Sequence, residues 1–597
     1  MGIAKLLRSM IIRMPAENCL NRPDYPNEPM TMTLQAPSAK PERSYYIEKV
    51  GVTKLSLPWL VKSDCVEHGE KAFVPRGNCS VTPLVNGSRA FGELEAAIRG
   101  ATTSIDYITW GFDPAMRFTD GGLTIGEILL AKAETVSIRL MVWYAGYFWS
   151  MAYGKADSGK TDGNQDHATA NLPGYDGNPG EKSKYVTAAE WYKKIKRHPR
   201  IEFVGRPMNS ADVGDAISQN PNLEKPDLLH EQGMTKFATH HQKMVLVDYT
   251  VPDRAKGFVL GSNTLPRYWD TDDHPLRHPN RGMSYVSTSY QDLQRESTGL
   301  HTPVRRRQQK HETVYFQPWQ DISARVHGAV LFDLNVNFSR AWVRAGGSPL
   351  EKGRELVKPD DFACDEGYPV QILRTQPQEN DRTICDAYFQ NVKNARSYIY
   401  FENQYFRLPE LTREIAKAAK ALRSGGRQES LYLFVVTNVP DDHGRLTTFE
   451  MLSALGKTDQ MPRMEKEEKT RDKAPQPVEG VEGGDQAGLQ SIICTLTASE
   501  GKKYLPIYTH SKLMIIDDHY YTLGSANLNR RSMASDSEIN VSVPDPSGAK
   551  GLREKLWRDH RRAPPMEKVV DEFGEWKEVA KNNLYFYEKK WLHWREI

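Results

Sequence analysis

The sequence predicts an α/β protein built from two copies of one layered plan. Three observations carry this reading. Segments of helical and strand periodicity alternate along most of the chain. The same alternation occurs twice. Each half then ends on the same polar cluster: His-x-Lys, four apolar residues and Asp, with a Gly-Ser turn further on.

At 597 residues the chain is longer than one core normally supports, so two or more domains are expected. Apolar residues make up 39% and charged residues 26%, which excludes disorder of the whole. Residues 1–87 read as an N-terminal arm and extension. Within it, residues 2–14 (GIAKLLRSMIIRM) have a basic amphipathic pattern suited to a surface helix or to membrane-surface contact. Arg8 and Arg13 break what would be the apolar core of a Sec signal, so no such signal is expected.

The first half is placed at residues 88–350. A helix is expected over 90–99, with Phe91, Leu94, Ala97 and Ile98 on one face. Strands are expected over 104–110 and 137–143, with a helix over 124–133 between them. Residues 153–185 and 207–238 are polar and broken by Gly and Pro, as loops walling a site would be. Gly, Pro and charge cluster at 345–366, which sets the boundary. The second half, 351–597, repeats the plan with helices expected over 384–395 and 411–423 and strands over 397–402 and 431–437. Residues 463–489 read as an exposed loop. No run of eighteen apolar residues occurs, so no transmembrane helix is expected.

A net charge of +3 does not advertise a nucleic-acid partner. None of the six cysteines forms a Cys-x-x-Cys pair, which argues against a zinc ribbon or redox motif.

The chemistry lies in the two clusters. The first is His241, Lys243 and Asp248, then Gly261-Ser262-Asn263. The second is His510, Lys512 and Asp517, then Gly524-Ser525-Ala526-Asn527. Strand residues two apart share a face, so each His and its Lys point the same way at the mouth of a strand buried on both faces. Two imidazoles and two ammonium groups converging on one spot suit phosphodiester cleavage. One His attacks phosphorus, and the other protonates the leaving alcohol and then activates water. The lysines, with Asn263, Asn527, Ser262 and Ser525, would stabilise charge on the non-bridging oxygens. This scheme requires no metal and no other cofactor. Asp248 and Asp517 complete the clusters and are read as tying strand ends to neighbouring loops.

Three other strings point elsewhere. Residues 154–161 (GKADSGKT) match a phosphate-binding G-x4-G-K-[ST] pattern, but residues 162–180 are too rich in Gly, Asn and Pro to start the required helix. Asp270, Asp272, Asp273, His274 and His278 resemble a metal cluster and are read as a structural or substrate wall. Residues 305–310 (RRRQQK) read as a solvated basic loop, with anionic headgroups as the sharper alternative.

The sequence resembles the phospholipase D superfamily. The second cluster fits its His-x-Lys-x4-Asp-x6-Gly-Ser-x-Asn signature, and residues 401–406 (FENQYF) look like another of its landmarks. Trp110, residues 268–270 (YWD), His274-Pro275, residues 318–321 (PWQD) and Asn337-Phe338 add to the likeness, which spans about residues 88–545. The resemblance implies the phospholipase D fold, two duplicated α/β/α sandwich domains packed pseudo-symmetrically around one shared active site. It also implies His241 as nucleophile and His510 as general acid. Asp270 and Glu538 would be the carboxylates that orient the histidines, one per His, crossing between halves. Trp110, Asn403 and Gln404 would contact substrate. The expected activity is hydrolysis of glycerophospholipids to phosphatidate and a headgroup alcohol, with phosphatidyl transfer or nuclease action as alternatives.

The first cluster departs from the signature, since Asn263 stands one place early and Thr264 occupies the usual position. Residues 238–249 (ATHHQKMVLVDY) and 257–274 (GFVLGSNTLPRYWDTDDH) resemble bacterial phospholipase effectors delivered by type VI secretion. That likeness implies a monomer made in a bacterial cytoplasm and delivered to a target cell's periplasm or a host cell. Its partners would be a phospholipid membrane surface, a cognate immunity protein and a type VI spike protein, with no nucleic acid.

Overall fold

The computed structural model describes residues 55–61, 72–144, 191–225 in part, 234–281, 283–287, 311–362, 364, 367–439, 445–457, 488–500 and 503–594, save for isolated positions within these ranges. The N-terminal amphipathic segment, the Gly-Lys-Thr string, the basic run 305–310 and residues 463–487 lie outside the described residues.

The repeat is expressed as one 14-stranded sheet. The first half supplies β1 (Arg76–Val85), β2 (Ser104–Thr109), β3 (Ser137–Tyr144), β4 (Ile201–Pro207), β5 (Met244–Val247), β6 (Lys256–Val259) and β7 (Ile322–Gly328). The second supplies β8 (Tyr368–Thr375), β9 (Tyr398–Asn403), β10 (Leu431–Val436), β11 (Leu489–Cys494), β12 (Lys512–Ile516), β13 (Tyr520–Gly524) and β14 (Glu538–Val543). From the centre outward the first half runs β1-β7-β6-β5-β2-β3-β4, and the second runs β8-β14-β13-β12-β9-β10-β11. The two orders are the same strand for strand. The halves join where β1 pairs antiparallel with β8, at Arg76 opposite Val370 and Cys79 opposite Tyr368.

Residues 76–85 therefore belong to the sheet and not to an arm, a correction to the extension placed at 1–87. Gly77 and Pro83 interrupt the apolar alternation that would have marked this strand. Elsewhere the periodicities translate directly into elements. Helices α1 (Gly87–Gly100) and α2 (Ile125–Lys132) follow β1 and β2, and α3 (Val330–Arg344) follows β7. Helices α4 (Thr383–Asn394) and α5 (Pro409–Ser424) hold the places of α1 and α2 in the second half. Thr124 and Glu127 form a reciprocal capping box at the start of α2. Helices α6 (Pro546–Arg561) and α7 (Val569–Trp594) close the chain.

These helices leave apolar layers on both faces of the sheet. One core packs α1 and α2 on the first half, and another packs α4 and α5 on the second. A third runs under both halves, from Val81 through α3 to Val543, Trp557 and Trp576. Strands β5 and β12 lie inside each half with neighbours on both sides, and all their residues are buried. Each ends at an Asp with a left-handed backbone, φ 52° at Asp248 and 53° at Asp517. No helix among the described residues is long and apolar enough to cross a membrane.

Candidate active site

The paired motifs meet because each half reaches across to the other. Just before β5, the backbone of His240 bridges Ser537 in parallel, and the His241 N–H donates to the Ser537 carbonyl at 2.8 Å. Just before β12, Tyr508 and Thr509 pair in parallel with Trp319 and Gln320, and the His510 N–H donates to the Gln320 carbonyl at 2.7 Å. In each case the next residue on the partner segment is a carboxylate. Glu538 thus lands on His241, with Nδ1 2.9 Å from Oε2, and Asp321 lands on His510, with Nδ1 2.7 Å from Oδ2. With Nδ1 held by a carboxylate, the tautomer is fixed and Nε2 is the nitrogen left for substrate.

Asp321 replaces Asp270 in the expected role. Asp270 is fully buried, but it is engaged by His274 Nδ1 at 3.1 Å, Arg281 at 2.8 Å and the Trp319 N–H at 2.6 Å. It fixes the segment that carries Asp321, two residues along. No local spacing announces Asp321, because its pairing with His510 depends on a strand contact between halves.

The Gly-Ser turns also act differently from expectation. Ser262 Oγ donates to Asp321 at 2.8 Å and Ser525 Oγ to Glu538 at 2.6 Å. They hold the carboxylates and not a substrate phosphate. A Cβ at Gly261 would collide with Asp321 and the Ile322 carbonyl, and one at Gly524 with Asn540 and the Ile539 carbonyl. Only glycine lets each serine come this close.

Asp248 and Asp517 sit at the opposite ends of β5 and β12 from the histidines. Asp248 accepts backbone N–H groups of Thr102, Thr103 and Ser104, and Asp517 those of Arg396, Ser397 and Tyr398. They cap the starts of β2 and β9 and take no place among the catalytic groups.

Lys243 and Lys512 are fully buried beside the histidines, each with Nζ donating to the carbonyl of its own motif His. Lys512 also reaches Gln404 Oε1 at 3.2 Å. Register matching puts Trp110 in the first half where Gln404 stands in the second. Trp110 stacks on Trp143 and presents an edge to His241, ring centroids 6.4 Å apart. The amides here have open valences. Asn263 Nδ2 donates to Tyr268 Oη at 2.8 Å while its Oδ1, Asn527 Oδ1 and Asn403 Nδ2 are buried without a hydrogen bond.

Electrostatics join the motifs into one site. Burial, then Lys243 and Lys512, push His241 well below the ordinary imidazole range. Burial and Lys512, with a smaller push from Lys243, bring His510 down to about 3 against the pull of Asp321. Each histidine feels the lysine of the other half. Lys243 itself is lowered to about 8 by burial, opposed by Glu538 and Asp321. Burial raises Glu538 to about 7, opposed by Lys243, Ser525 and Ser532. Two hydroxyls and an imidazole nitrogen converge on it, the surroundings of an ionised acceptor. Two buried lysines face two buried carboxylates across histidines that burial and the lysines hold low, and the lysines are the groups suited to an anionic phosphodiester.

Among known proteins, the family model described as cardiolipin synthase, PLD-like domain, matches residues 484–560. Phospholipase D alpha 2 of Arabidopsis thaliana is 24% identical in a match covering 82% of this chain and 66% of that protein. Phospholipase D alpha 1 of Cynara cardunculus is 26% identical, with 83% and 66% covered. The chain thus spans slightly under two thirds of these relatives' length. The phosphatidylserine synthase structure from Haemophilus influenzae Rd KW20 aligns at a TM-score of 0.40 and 13% identity, covering 89% of this chain and 98% of that one.

Proposed function

We propose, from the support these similarities give to membership of the phospholipase D superfamily, that this chain is a phospholipase D-type phosphodiesterase acting on glycerophospholipids. The observation that carries the proposal is the crossed pair of His–carboxylate contacts, one from each half, with two buried lysines between them. His241 Nε2 attacks phosphorus, and the bond from phosphorus to the headgroup oxygen breaks. His510, protonated at Nε2, gives that proton to the departing oxygen. Water then attacks the phosphohistidine, its proton passes to His510, and the P–N bond breaks to release phosphatidate. The likeness to the phospholipase D superfamily assigns the nucleophile's part to the upstream histidine, His241.

Burial and the two lysines set the protonation states. In the free protein both imidazoles are neutral, as a nucleophile must be. A phosphodiester anion between Lys243 and Lys512 offsets their repulsion and raises His510 toward the imidazolium its role requires. The lysines then face the non-bridging oxygens.

A second reading is favoured by the cardiolipin synthase description of the matched domain. In it an alcohol replaces water in the second step. Incubating the protein with phosphatidylethanolamine, phosphatidylglycerol and plasmid DNA, with and without ethanol, tests both. Phosphatidate formation supports hydrolysis, and phosphatidylethanol supports a covalent intermediate open to alcohols. Cleavage of DNA but not lipid would overturn the lipid reading.

The effector role is a further part of the proposal, resting on the resemblance of residues 238–274. It entails action on membrane phospholipid in a target cell's periplasm and neutralisation by a cognate immunity protein. Directing the chain to a bacterial periplasm should arrest growth, and the His510→Ala variant should not. A lipid-active protein that is harmless there would contradict it.

A further inference from the structure

The two halves are braced by different groups, and behind His510 the brace is a carboxylate. Glu402, in β9, is fully buried and accepts four hydrogen bonds. Its Oε1 takes Ser511 Oγ at 2.6 Å and Gln320 Nε2 at 2.8 Å. Its Oε2 takes Tyr400 Oη at 2.7 Å and His560 Nε2 at 2.8 Å.

Each partner matters for what it holds. Ser511 stands between His510 and Lys512 in the motif. Gln320 accepts the His510 N–H through its carbonyl and immediately precedes Asp321. His560 lies on α6, edge-on to Trp576 of α7. One carboxylate therefore ties together the motif strand, the segment carrying the His510-orienting Asp321 and the C-terminal helices. In the first half the matching position is Ile108, an apolar core residue, and Gln242 stands where Ser511 does. On the His241 side the bracing runs through the neutral amide of buried Gln242, whose Nε2 donates to the Glu538 carbonyl at 3.3 Å and to Gln376 Oε1 at 3.1 Å, and no carboxylate stands at the position matching Glu402.

We propose that Glu402 is a positioning residue for the His510 half-site alone, setting the His510–Asp321 geometry for proton transfer. This rests on the phosphodiesterase reading, with His510 as acid and then base. It predicts a selective defect. Loss of Glu402 impairs the steps that move a proton through His510 and spares attack by His241.

A phosphodiester with a p-nitrophenolate leaving group separates these steps, because that group departs without a proton. Bis(p-nitrophenyl) phosphate is mixed with the full chain in a stopped-flow instrument, for wild type, Glu402→Gln, Glu402→Leu and Ser511→Ala. The burst of p-nitrophenolate reports attack by His241, and steady turnover reports hydrolysis through His510. In Glu402→Leu the burst rate should stay within about fivefold of wild type while turnover falls on the order of 10²-fold, the low end of what general acid–base catalysis supplies. Glu402→Gln, which keeps the volume and part of the bonding, should recover part of the turnover. Ser511→Ala, which removes a single hydroxyl, should fold even if Glu402→Leu does not, and should show the same selectivity on a smaller scale. Equal loss of burst and turnover, or no loss of either, would overturn the proposal. Wild-type protein that cleaves neither this ester nor phospholipid would instead remove the phosphodiesterase reading itself.

Discussion

His510 Nδ1 and Asp321 Oδ2 lie 2.7 Å apart, although they belong to opposite halves of the molecule. The contact fixes which carboxylate serves which histidine. Asp321→Asn should lower kcat by roughly 10²–10⁴-fold with little change in KM, since the amide no longer favours the imidazolium. Asp270→Asn should behave differently. It leaves Arg281 buried without its counter-charge, which costs about 3–5 kcal/mol of stability. Its activity should be lost in step with unfolding as temperature rises, whereas Asp321→Asn should stay folded and inactive. Thermal melts alongside kinetics on both variants decide between these outcomes.

The serines of the Gly-Ser turns supply a matched pair of tests. Ser262→Ala and Ser525→Ala each remove a hydroxyl bonded to a buried carboxylate, a loss of about 1.5–3 kcal/mol by urea unfolding. Each should also reduce turnover, because the carboxylate it releases is the one orienting a histidine. If either variant keeps full activity and full stability, its hydroxyl is not holding the carboxylate as described.

The strand layout explains which features are legible in the sequence and which are not. His241–Lys243 and His510–Lys512 are readable because strand geometry alone puts residues two apart on one face. Helices α1, α2, α4 and α5 are readable from apolar spacing. Glu538 is reached only through the family likeness. Asp321 stands in a landmark segment without a role, since only the parallel contact of 508–509 with 319–320 aims it at His510. Ser262 and Ser525 suggest phosphate binding because their type fits that task. Where they point depends on the close approach that Gly261 and Gly524 allow, which no local pattern reveals. Strand β1 escapes sequence reading for a simpler reason, the Gly and Pro within it.

Stability should fall with acid in a way traceable to His510. An imidazole in the unfolded chain takes up its proton near pH 6.5, whereas His510 in the folded site does so only at about 3. Above 6.5 neither state is protonated and this group imposes no penalty. As pH falls from 6.5 toward 3 the unfolded state binds the extra proton, and this one group removes stability at about 1.4 kcal/mol per pH unit at most. Unfolding free energies at pH 7.5 and 5.0 should therefore differ more for wild type than for His510→Gln. Identical differences would show that His510 is not shielded from protons.

Lys243 is held at a cost. Its ammonium is buried and its pKa is lowered to about 8, so the charged form is disfavoured at neutral pH relative to the unfolded chain. Lys243→Met should abolish activity yet raise stability at pH 7 by about 1–3 kcal/mol, a trade of stability against function. A variant that is both inactive and less stable would mean that Lys243 contributes more to the fold through Glu538 and Asp321 than it loses by burial.

The two-histidine scheme stands or falls on the covalent intermediate. A short-chain phospholipid is mixed with the protein, quenched in alkali within one turnover and digested for mass spectrometry. A phosphatidyl adduct on His241, absent from His241→Ala, is the predicted result. An adduct confined to His510, or steady turnover with no adduct on either histidine, would contradict it.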